Sequence, residues 1–110
     1  MRSLKDITGV LTNKTEEGSL EWEELGPNTF EAEIKNYKLR TWAYWDNIQE
    51  TNFVVIQIRD QKERVFDEIR VNENDVSFDR ANALHLAARR NAYNIDDVVS
   101  DILQGIGMKT

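Results

Sequence analysis

Apolar residues recur along this chain in two periods, and the switch between them divides it. Leu4, Ile7 and Leu11 share one stripe of a helix. Ser3 is placed to cap that helix, Asp6 sits in the first turn where the dipole favours an anion, and Gly18 supplies a stop. From Leu20 the period shortens to two. Leu20 and Trp22 alternate with Glu21 and Glu23 as a short strand, and Gly-Pro-Asn at 26–28 turns it. Phe30, Ala32 and Ile34 alternate with Glu31, Glu33 and Lys35. Asn36 marks a tight turn into a strand over 37–45. A polar loop over 46–52, the most apolar strand over 53–59, a turn over 60–63 and a last strand over 64–71 follow.

After 72–75 the helical period returns. Ala81, Leu84, Ala88 and Ala92 form a stripe behind a Ser77 or Asp75 cap, and 91–94 breaks the helix. Asn94 then caps a second stripe of Ile95, Val98, Val99, Ile102, Leu103 and Ile106, with Asp96 and Asp97 in its first turn and Gly105 and Gly107 at its end. The order predicts an α+β fold: an N-terminal helix, an antiparallel meander of four to five strands, and two C-terminal helices on one sheet face. Residues 1–110 read as one domain. Leu84 and Ile102 are both expected to lie against the sheet.

A two-residue turn at Lys35–Asn36 fixes a register. Ile34 meets Tyr37, Ala32 meets Leu39 and Phe30 meets Thr41 on the buried face. Glu33 meets Lys38 and Glu31 meets Arg40 on the other, each opposed pair contributing roughly 0.2–1 kcal/mol. For the last hairpin, a turn centred on Gln61–Lys62 places Arg59 opposite Arg64, Phe66 opposite Gln57, and Asp67 opposite Ile56 on the helix-covered side. The open face then carries Lys38, Arg40, Arg59, Arg64 and Arg70 beside Trp42, Tyr44 and Phe66. Asp60, Glu63 and Glu68 stand ready to neutralise the arginines; left free, the cations form an anion site.

Charge changes what that face means. Net charge is −6, which opposes phosphate binding unless bases are segregated. Segregation is present: Glu16, Glu17, Glu21, Glu23, Glu24, Glu31 and Glu33 precede the aromatic stretch with no base among them. The stretch 36–47 therefore reads in three ways: sheet interior, protein contact centred on tryptophan and tyrosine, or base-stacking platform.

Candidate chemistry is sparse. The sequence has no cysteine and one histidine, which removes thiolate catalysis and disfavours transition-metal sites. No phosphate-binding glycine loop, dinucleotide fingerprint or metalloprotease motif occurs. An Asp67–His85 pair is the one dyad the pattern offers, with no nucleophile to complete it. No catalytic residue, metal or cofactor is expected. Without cysteine, a secretory signal or a long apolar run, the chain reads as cytoplasmic, with no membrane association.

The expectation is a small non-catalytic accessory protein that binds another protein, either a basic partner or a second copy through the open sheet face. In size and charge alone it is similar to immunity, antitoxin and phage accessory proteins. The alternative is single-stranded nucleic-acid or anion binding by the basic-aromatic face.

Overall fold

A computed structural model describes residues 2–108. The elements are α1 (Leu4–Glu16), β1 (Glu23–Gly26), β2 (Thr29–Ile34), β3 (Tyr37–Asp46), β4 (Thr51–Asp60), β5 (Val65–Asn72), α2 (Phe78–Ala92) and α3 (Ile95–Gly105). The strands form one sheet in sequence order, and every neighbouring pair is antiparallel. The α+β meander expected from the hydrophobic period is present.

The core lies between one sheet face and α1–α2. Phe30, Ala32, Leu39, Val54, Ile56 and Val71 supply the sheet side, and Leu4, Ala81, Leu84 and Ala88 the helical side. All these sheet residues share one face under the strand period of two. α2 crosses the sheet and touches every strand, while α1 packs on α2 and on β5. The capping expectation for α1 holds with an added partner. Asp6 accepts the Ser3 N–H at 2.9 Å, and Asp67 reaches across from β5 to accept the Leu4 N–H at 2.8 Å. Two orphan donors of the first turn are thereby satisfied, by anions that the helix dipole favours. Gly18 lies at φ +81, the left-handed conformation that ends a helix.

The β2–β3 register is the one the opposed charges imply: Glu31↔Arg40, Ala32↔Leu39, Glu33↔Lys38 and Ile34↔Tyr37. Lys35 takes φ +56 in the turn. Ile34 corrects the expected buried set: at the strand end it is exposed together with its partner Tyr37.

Three further differences have physical causes. The first strand begins at Glu23, so Leu20 and Trp22 are buried in its lead-in rather than on a strand. Trp22 is held there by two bonds, its N–H to Asn91 Oδ1 at 2.7 Å and its indole N–H to Thr15 Oγ1 at 3.0 Å. The β4–β5 register is displaced by two residues from the expected one: Ile56 faces Ile69, Gln57 faces Glu68 and Ile58 faces Asp67, with an irregularity before Arg59↔Val65. A longer turn, with Glu63 at φ +66, produces the displacement. Lastly, α3 packs on α2, and none of its residues is buried. Ile102, expected in the core, is 58% exposed.

Candidate protein-binding surface

The open sheet face is built by alternation. Lys38, Arg40, Trp42 and Tyr44 on β3 stand in register with Arg59, Gln57, Val55 and Phe53 on β4, and Val55 and Gln57 continue to Arg70 and Glu68 on β5. No helix covers this side. Even so Val55, between Trp42 and Arg70, is 0% exposed and Phe53 is buried. Side chains lying across the sheet close it. Tyr44 stacks on Phe53 with centroids 5.3 Å apart, and its hydroxyl accepts from Arg70 at 2.9 Å. Trp42 and Tyr44 are half-buried as a result.

The cations of this face are all engaged. Glu63, carried back over the sheet by its left-handed backbone, accepts from Lys38 at 2.9 Å, Arg40 at 3.1 Å and Arg59 at 3.0 Å. Arg40 also meets Glu31 at 2.6 Å. Arg64 meets Asp60 at 2.6 Å and Arg70 meets Glu68 at 3.4 Å. Hydrogen bonds from Lys38 and Arg59 lower the Glu63 carboxyl to about 2, and the same pairing raises Lys38. Arg59 and Arg64, expected to oppose each other, do not: Val65 faces Arg59, and Arg64 has turned to Asp60. Phe66 also leaves the expected group. The irregularity in β5 sets it against Tyr37, edge to face at 5.9 Å, with the Arg64 guanidinium 5.8 Å from its ring.

The proposed dyad is absent. Asp67 serves α1, whereas His85 is 2% exposed and bridges Thr41 Oγ1 at 2.9 Å and Asn28 Oδ1 at 3.0 Å. Burial lowers His85 to about 4, and Arg89 acts in the same direction. A neutral ring donates through one nitrogen and accepts at the other, and the Thr41 hydroxyl beside Nδ1 also donates to the Val55 carbonyl at 3.0 Å. His85 thus ties α2 to β3 and to the β1–β2 turn, and the one hydroxyl bonded to it, Thr41, is fully buried. Among the described residues no group of carboxylates or histidine is arranged to hold a metal ion.

A second surface lies on α3. Val98 is 44% exposed, Val99 47% and Ile106 67%, on the same side of α3 as Ile102. The helical period puts Val98 and Ile102 in one row and Asp97 and Asp101 in the row beside it. Between the end of α1, α2 and the start of α3 lies a cleft whose lining includes Ala83, Leu86 and Ile95, the acids Glu16, Glu17, Asp96 and Asp97, and one base, Arg90. The signal was legible as the strong amphipathicity of 95–106. Amphipathicity records that a helix has an apolar face, not what covers that face.

Comparison with protein-family models, with curated proteins and with solved structures returned no match. No helix in the described residues is long and apolar enough to cross a membrane.

Proposed function

We propose that this chain is a non-catalytic accessory protein that acts by binding another protein. The observation that carries the reading is the uncovered apolar side of α3, where Val98, Val99, Ile102 and Ile106 are all exposed. Isolated exposed apolar residues are ordinary; a contiguous row of them marks an interaction site. The absence of cysteine fits a reducing cytoplasm.

The sheet face supports this reading less than α3 does. Trp42 and Tyr44 remain partly accessible there, but their neighbours are spent on internal pairs. Phosphates could engage Lys38, Arg40 or Arg59 only by displacing Glu63, so these cations of the sheet face support a nucleic-acid reading less. Self-association through the same face meets the same closed network.

The test is a photo-activated cross-linking residue placed at position 102 in the full chain, in cells. Attachment to one defined protein species, absent without irradiation and lost in a Val98→Ser, Ile106→Ser background, is the expected result. A diffuse smear equal to that from a position on the helical side of Lys14 would overturn the reading.

A further inference from the structure

We infer that the α3 surface takes a basic amphipathic helix of a partner protein. This rests on the protein-binding reading and adds the chemistry of the partner. On the same side of α3 as Val98 and Ile102, one turn earlier, Ile95 lines the cleft together with Leu86, itself 45% exposed. A row of apolar residues leading into a groove is the form that receives one helix through side chains three and four positions apart.

Charge selects the occupant. Residues 95–105 contain Asp96, Asp97 and Asp101 and no base, and Glu16 and Glu17 line the same cleft as Asp96 and Asp97, with Arg90 its one base. Two of these acids have partners: Glu17 meets Lys14 at 3.4 Å and Asp96 meets Arg90 at 3.5 Å. Asp97, Asp101 and Glu16 have no ion pair among the described residues. A partner with lysine or arginine beside its apolar stripe neutralises this rim. A second copy of the chain brings the same aspartates to the same interface, and like charges there are unfavourable. An anionic membrane is repelled by the rim, since interfacial helices carry bases on their polar face.

The probe is a synthetic amphipathic helix of leucine and lysine, titrated against the full chain with NMR shifts recorded, beside the same peptide with glutamate for every lysine. The lysine peptide is expected to shift resonances of Val98, Ile102 and Leu86, and to bind roughly tenfold or more tightly than the glutamate peptide. Ile102→Ser and Asp101→Lys, both at exposed positions, should each weaken it with unchanged circular dichroism. Equal binding of the two peptides overturns the inference, as does no binding, or shifts confined to Trp42 and Tyr44. A concentration-dependent dimer abolished by Ile102→Ser overturns it in favour of a second copy. Binding of phosphatidylserine vesicles through Ile102 overturns it in favour of lipid. If the lysine peptide fails while position 102 still cross-links to a protein, the partner chemistry is wrong and the protein-binding reading stands; if both fail, both fall.

Discussion

His85 joins three elements through one neutral ring, and its protonation is coupled to folding. In the folded chain it titrates at about 4, against an ordinary 6.5. Between those values the unfolded chain binds the proton more readily, so stability falls as pH drops from 6.5 towards 4, by roughly 3 kcal/mol in all. Urea denaturation across that range should show this slope, and His85→Leu should flatten it. Glu63 acts in the same direction over the next range down. Its carboxyl is held at about 2 against an ordinary 4.5, so the stability it confers is complete above 4.5 and disappears as pH falls towards 2. Asp67 caps Leu4 from a distant strand. Replacing it with alanine should cost about 1–2 kcal/mol, measured by thermal unfolding, because a helix donor and a dipole contact are lost together.

Elements differ in how far the sequence disclosed them. The β2–β3 hairpin was legible because two apolar rows and two opposite-charge pairs agree on one register. The β4–β5 hairpin was not, because its register depends on turn length, and Glu63 in the left-handed conformation follows from no residue preference. The irregularity near Val65 then redirected Phe66, which period alone had placed beside Gln57. Similar physics separates α2 from α3. Both have apolar stripes, but Leu84 is enclosed while Ile102 faces outward. Leu84→Ala should therefore cost ~2–5 kcal/mol. Asn91→Ala should cost about 1–3 kcal/mol, because the buried Trp22 N–H loses its acceptor. Chemical denaturation of the two variants checks both values.

At the scale of the molecule, a closed sheet face and an open helix face divide the surface. Glu63 joins three cations on the sheet side, and Glu63→Gln leaves Lys38 and Arg59 without an acid partner while Arg40 keeps Glu31. That variant should gain a salt-sensitive affinity for single-stranded oligonucleotides that the parent lacks, read by tryptophan fluorescence at low and high salt. Parent binding of equal strength would show that the pairs do not neutralise the face. The apolar side of α3 is, on the proposal above, surplus to the fold and available to a partner. Urea denaturation of a Val98→Asp, Ile102→Asp double variant tests it without knowledge of that partner. An unfolding free energy within about 1 kcal/mol of the parent and an unchanged denaturant slope are expected. A loss of several kcal/mol, or a reduced slope, would place this face in the core and contradict it.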